Sequence, residues 1–153
     1  MSTNKEWGTA VWYLFHSLAE KIKEEHFSAV RIELLGIIRQ LCSSLPCPDC
    51  ANHATQYMTR LNVNRVQTKD DLKLMLLSFH NEVNARINKP KFNETQLNEK
   101  YSKARTGEVV KYFVQVWNSP NRNPKLMINT LHKNVITKNF IDWWKKNYQK
   151  FNP

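Results

Sequence analysis

Leu45-Pro46-Cys47-Pro48-Asp49-Cys50-Ala51-Asn52-His53 holds two of the three cysteines of this 153-residue chain and one of its five histidines. Two cysteines separated by two residues can close a small disulfide ring when they open a helix, and the unpaired amide N–H groups of that helix start favour a thiolate. Pro46 and Pro48 suit the turn into such a helix, because proline has its φ preset and lacks a donor that would go unpaired there. Asp49 suits the first turn electrostatically. What surrounds the pair decides the fold that carries it. A thioredoxin-like site needs strands alternating with helices around the two cysteines, yet no alternating apolar/polar run of strand length stands out, and glycine is scarce at three residues. The chain reads as all-α.

Working back from the cysteines, Trp7, Val11, Leu14, Phe15, Leu18, Ala19 and Ile22 recur at steps of three and four, the stripe of an amphipathic helix. Trp12 and His16 share a neighbouring face, where ordinary core packing with a satisfied imidazole is the simplest account. Gly8, one turn before Trp12, leaves room for a close approach to the backbone. Ser28 can cap a second helix with an apolar face of Val30, Leu34, Ile37, Ile38 and Leu41, ending at Leu45-Pro46 because the residue before proline disfavours helix. Cys42, in its last turn, reads as a small buried hydrophobe.

Working forward, the third helix runs through Ala54, Tyr57, Met58 and Leu61, with His53 one turn beyond Cys50. Thr68 with Asp71 resembles a capping box for a fourth helix carrying Leu72, Met75, Leu76, Phe79, Val83 and Ile87. On it lies a second informative string, Phe79-His80-Asn81-Glu82-Val83-Asn84, followed by Lys89-Pro90. His80 and Asn84 are four apart and Asn81 adjoins them; turned inward, such groups need a polar ligand to satisfy them. Pro90 ends this helix, and Glu94 to Tyr101 forms a short fifth one.

Length fits one domain with a sizeable core. No apolar run reaches a membrane span and the first residues lack the pattern of a secretory signal, so the expected location is the cytoplasm. Three cysteines are too few for a disulfide-stapled scaffold. Two alternatives remain open for them: Cys42, Cys47, Cys50 and His53 as a Cys3His zinc site, although such ligands usually come as two separated knuckles, or inert structural thiols. The net charge of +10 is uneven: residues 1–100 hold 13 Lys/Arg against 11 Asp/Glu, residues 101–153 hold 10 against 2.

Taken together, Trp12-x-x-x-His16, Pro-Cys47-Pro-Asp-Cys50-x-x-His53, and His80-Asn81-x-Val83-Asn84 followed by Lys89-Pro90 and Tyr101 resemble the Erv/Alr family of FAD-linked sulfhydryl oxidases over roughly residues 5–105. The resemblance implies a four-helix bundle with a short fifth helix, FAD in the bundle mouth, and a homodimer. It implies a catalytic pair in which Cys47 meets the substrate and Cys50 faces the flavin. Gly8, Trp12, His16, His53, His80, Asn81, Val83, Asn84, Lys89, Lys91 and Tyr101 are its cofactor-binding candidates, with no metal. Two substrate thiols would become a disulfide, with dioxygen reduced to hydrogen peroxide. Larger members carry a second cysteine pair on a flexible arm, which this chain lacks, so electrons would come directly from a dithiol protein substrate or a small redox carrier protein. Minimal forms of this kind are familiar from large cytoplasmic DNA viruses. The competing function is a helical zinc- or nucleic-acid-binding protein with structural cysteines.

On this division residues 1–105 are the FAD-binding sulfhydryl oxidase domain and 106–153 a basic helical C-terminal extension. Val109, Val110, Phe113, Val114 and Trp117 look helical, residues 118–124 read as a linker, and Leu126, Ile128, Leu131, Val135 and Ile136 resume an apolar pattern. The run from Phe140 to Phe151 sets aromatics at steps of three and four with lysines between, which suits an amphipathic helix packed on the bundle or across a dimer. Contact with nucleic acid or a membrane surface ranks second.

Overall fold

The computed structural model describes residues 4–118 and 130–153, and among them the regular structure is helical. The helices are α1 (Asn4–Lys21), α2 (Glu24–Ser43), α3 (Pro48–Arg60), α4 (Lys69–Arg86), α5 (Glu94–Ser102), α6 (Thr106–Trp117) and α7 (Thr130–Asn147). Short 3-10 turns follow at Val63–Arg65 and Tyr148–Lys150. The all-α reading holds. None of the helices described is long and apolar enough to cross a membrane.

Apolar stripes on α1, α2 and α4 make the centre of the core, where Leu14, Leu18, Ile22, Leu34, Ile38, Leu41 and Leu76 are fully buried. Burying each such side chain stabilises the fold by about 1.5–3 kcal/mol before entropy is counted. The capping box expected at the start of α4 is present, with the Asp71 N–H donating to Thr68 Oγ1 at 3.0 Å and the Thr68 N–H to Asp71 Oδ2 at 3.1 Å. A second one, Asn93 with Gln96, starts α5. Ser28, by contrast, is no cap. Helix α2 begins four residues earlier, at Glu24, where two glutamates complement the unpaired amides of the first turn.

The C-terminal residues belong to the same core. Helix α6 packs most extensively against α1, and α7 lies on α2. Phe113, Trp117, Phe140 and Phe151 are buried in the common cluster, with the Phe113 and Phe140 rings edge to face at 5.5 Å. The last residues then return to the α1–α2 junction. Ile22 bridges Phe151, the Lys23 N–H donates to the Lys150 carbonyl at 2.9 Å, and the Asn152 N–H donates to the Lys21 carbonyl at 2.7 Å. Thr106 Oγ1 donates to the Asn152 carbonyl at 2.6 Å, joining α6 to that junction. This is the packed amphipathic arrangement that the aromatic spacing implied. Val135 faces solvent while Ile136 is buried. Residues 119–124 of the expected linker, together with Leu126 and Ile128, lie outside the described residues, as does the side chain of Leu131.

Candidate active site

Cys47 is the N-cap of α3, with Pro48 at the first helical position, so the proline and the cysteine turn act as the sequence implies. The Cys50 N–H points back to Cys47 Sγ at 3.4 Å. The helix-start amide is therefore directed at the sulfur of Cys47 rather than at that of Cys50. Both are half-buried thiols in this structure, and Cys42 is a buried one. Burial, then the hydrogen bond and negative charge of Cys47, push the Cys50 thiol up to about 12, with Arg86 pulling the other way and Asp49 adding to the rise. The helix start thus does not lower Cys50 as the bare spacing would imply, because its sulfur is withdrawn from water beside another sulfur. Cys42 is raised to about 12 by burial alone, as an inert packed thiol should be. Among the described residues no His, Cys, Asp and Glu side chains gather into a set that could hold a metal ion.

Cys50 opens onto a cavity of about 920 Å³, within the usual size range for small-molecule and cofactor sites. Helix α1 lines it with Gly8, Trp12 and Tyr13, α3 with Cys50 and His53, α4 with His80, Val83, Asn84 and Arg86, and α5 with Lys100 and Tyr101. The α4–α5 connection adds Lys89, Lys91 and Phe92. Residues up to 94 positions apart in the sequence, from Trp7 to Tyr101, thereby face one space. A Cβ at Gly8 would meet nothing within 4 Å, so the glycine fronts open volume rather than another part of the chain. His16, Asn81 and Cys47 are not among the lining residues.

His16 and Asn81 nonetheless shape the cavity. His16, only 2 % exposed, is joined through Nε2 to His80 Nδ1 at 2.9 Å, and its own Nδ1 is buried without a partner. Burial, then His80 and Lys100, hold His16 well below the ordinary imidazole range, and burial with Lys100 and Lys89 holds His80 at about 4. Both rings are neutral at pH 7. His80 stacks on Trp12 with centroids 4.0 Å apart, while His16 stacks on Tyr101 at 4.8 Å. Asn81 exchanges two 2.8 Å hydrogen bonds with the backbone of Phe92, which fixes that ring 5.4 Å from His80. Asn84 closes α4: its carbonyl accepts from the Lys89 N–H at 2.8 Å and its amide donates to the Pro90 carbonyl at 3.2 Å. Asn88 supplies the left-handed residue of this helix end, with φ of 58°. That turn sets Lys89 and Lys91 at the cavity.

Sequence reasoning missed several participants. Lys100 lies 4.9 Å over the Tyr13 ring and 5.5 Å over those of Phe92 and Tyr101, adding a cation to the aromatic wall. Arg86 acts electrostatically on both Cys50 and His53. Glu82 Oε2 lies 3.0 Å from His53 Nε2, and the Glu82 carboxylate lies 3.7 Å from Arg60. Glu82 and Arg86 are four apart in the string that also carries His80 and Asn84, and that spacing was the available signal. Flat aromatic surfaces, four cationic side chains and an adjoining cysteine together fit a dinucleotide with a planar redox ring.

Comparison with known proteins gives the family. The model of the Erv1 / Alr family matches residues 9–102. A protein of Invertebrate iridescent virus 3, bearing the name "Putative FAD-linked sulfhydryl oxidase 096R", is 32% identical over 105 residues, 68% of this chain and 71% of its own. An FAD-linked sulfhydryl oxidase of African swine fever virus is 31% identical over 83 residues, 54% of this chain and 69% of its own. The mitochondrial FAD-linked sulfhydryl oxidase ERV1 of Saccharomyces cerevisiae is 28% identical over 86 residues, 56% and 45% respectively. No solved structure matches the chain.

Proposed function

The chain belongs to the Erv1/Alr family, and from that premise we propose that it is an FAD-dependent sulfhydryl oxidase. It forms disulfides in protein dithiols through Cys47 and Cys50 and passes the electrons to dioxygen, giving hydrogen peroxide. The observation that carries this is the opening of Cys50, one half of the Cys-x-x-Cys pair, onto the aromatic and cationic cavity. Trp12, His80, Phe92 and Tyr101 would hold the flat rings of FAD, and Lys89, Lys91 and Lys100 its diphosphate. When bound, FAD supplies the two-electron acceptor that can be reoxidised by oxygen.

The chain's own residues divide the work. Cys47, at the helix start, takes the attack of a substrate thiolate on its side of the Cys47–Cys50 disulfide; the S–S bond breaks and Cys50 leaves with the electron pair. A second substrate thiol then attacks the mixed disulfide at the substrate sulfur, releasing the oxidised substrate and Cys47. The Cys50 N–H donates to Cys47 Sγ in the reduced pair, while burial keeps the proton on Cys50. His16 and Asn81 act behind the lining, setting the angles of His80 and Phe92.

The same reading makes residues 1–105 the catalytic unit, residues 106–153 a packed basic extension, and a homodimer the working form, with a dithiol protein or small redox carrier protein as electron donor. Purified protein should be yellow, release its flavin on denaturation, and consume oxygen with dithiothreitol while forming peroxide. A colourless protein holding one zinc per chain would end this reading. Light scattering tests the dimer separately.

A further inference from the structure

We propose that His53 is the proton acceptor for the Cys50 thiol and that Glu82 is the residue that positions it and balances its charge. His53 follows Cys50 by three residues on α3, so the two side chains occupy one face of the helix a single turn apart, and both line the same cavity. The imidazole is fixed from the opposite helix: Nε2 lies 3.0 Å from Glu82 Oε2, and the His53 side chain is 15 % exposed. The negative charge of a carboxylate 3.0 Å from that nitrogen favours the tautomer with its N–H there, which leaves the lone pair on Nδ1 as the ring's acceptor. Glu82 is itself steadied by Arg60 at 3.7 Å.

The charges around the pair favour a neutral resting state that can ionise in concert. His53 faces Glu82, Arg86 and Arg60, and burial with the Arg86 charge holds it below its ordinary value. Cys50 faces Cys47, Arg86 and Asp49, and its proton is retained at neutral pH. A thiol so placed needs a base before its sulfur can act as a nucleophile or electron donor, and a neutral imidazole beside a carboxylate is such a base. In the step proposed, the Cys50 S–H bond breaks, the electron pair stays on sulfur, and the proton goes to His53 Nδ1. The resulting imidazolium lies against the Glu82 carboxylate. No electron leaves the sulfur in this transfer, and the proton passes to solvent through the exposed part of the ring. In the reverse sense the imidazolium protonates Cys50 as it leaves the disulfide.

The role in turnover rests on the oxidase reading, but the test does not. In full-length Cys47→Ser protein as purified, the rate of iodoacetamide alkylation at Cys50 is measured against pH, with mass spectrometry confirming the site. Proton transfer to His53 gives a small thiolate–imidazolium population, seen on a logarithmic rate scale as a shoulder at the titration of His53, below the main rise of the thiol. His53→Asn should abolish the shoulder and Glu82→Gln should reduce it, both proteins melting as the parent does. In the otherwise wild-type enzyme, His53→Asn should lower kcat about 10²-fold, the low end for a general base, with KM for dithiothreitol unchanged. Free imidazole should restore part of the turnover of His53→Ala. A single-inflection profile shared by the parent, His53→Asn and Glu82→Gln overturns the proposal and leaves the oxidase reading intact. Wild-type protein that consumes no oxygen sinks the oxidase reading and leaves the alkylation result standing.

Discussion

Replacing Phe140 by alanine tests whether the C-terminal helix is part of the enzyme's core. Phe140 is 0% exposed, and its ring meets Phe113 at 5.5 Å and Trp143 at 6.4 Å. Truncating a fully buried phenylalanine costs about 3–5 kcal/mol, the transfer loss and the cavity together. For a chain of this size each kcal/mol lowers Tm by about 2–4 °C, so the substitution should bring Tm down by about 6–20 °C. That is a large share of a total stability of about 5–15 kcal/mol. Because α6 lies on α1, which carries Trp12 and His16, the loss should be felt as one cooperative transition that includes the cavity. Circular dichroism melts, with flavin release followed in parallel, read both events on one sample. Val135→Ala, at a side chain 58% exposed on the same helix, is the control and should shift stability by no more than about 0.5 kcal/mol. If Phe140→Ala left the main transition and flavin release where wild type has them, the common core would be refuted and the extension would be a separate arm.

Cys47→Ser and Cys50→Ser should each lose thiol oxidase turnover in an oxygen electrode while keeping their flavin, whereas Cys42→Ser keeps both; in native wild type, Cys42, 1% exposed, should be the last thiol alkylated. Lys100→Ala should weaken flavin retention about tenfold, the loss of about 1.4 kcal/mol of cation contacts, and the wild-type affinity should fall with salt, as titrated by fluorescence quenching. His80 is held at about 4 and His16 well below 6.5, so the unfolded chain binds more protons than the folded one between those values. Stability should therefore be complete above pH 6.5 and fall as pH drops towards 4; a denaturation midpoint that stayed flat over this window would count against the buried, neutral histidine pair.

The sequence by itself determined the helices and singled out the groups proposed to react. Periodicity at three and four residues, Thr68 with Asp71, and the prolines at 46, 48 and 90 are local signals. Each acts through backbone geometry within one or two turns, and among the described residues they reappear apart from the misread start of α2 and the end of α4, which stops at Arg86 before Pro90 is reached and leaves Ile87 53% exposed. The strings around Cys47 to His53 and His80 to Asn84 likewise carried their chemistry in their spacing. What only the tertiary structure decided is which side chains share a space. The Arg86 charge on Cys50, the Lys100 ammonium over three rings, the Glu82 carboxylate on His53, and the return of Phe151 to Ile22 join residues from different helices. No one-dimensional period encodes those meetings. The reversal at the cysteines has the same cause: a helix start favours a thiolate, but burial opposes charge on Cys50, and burial is a property of the packed core rather than of the nine residues that hold the pair.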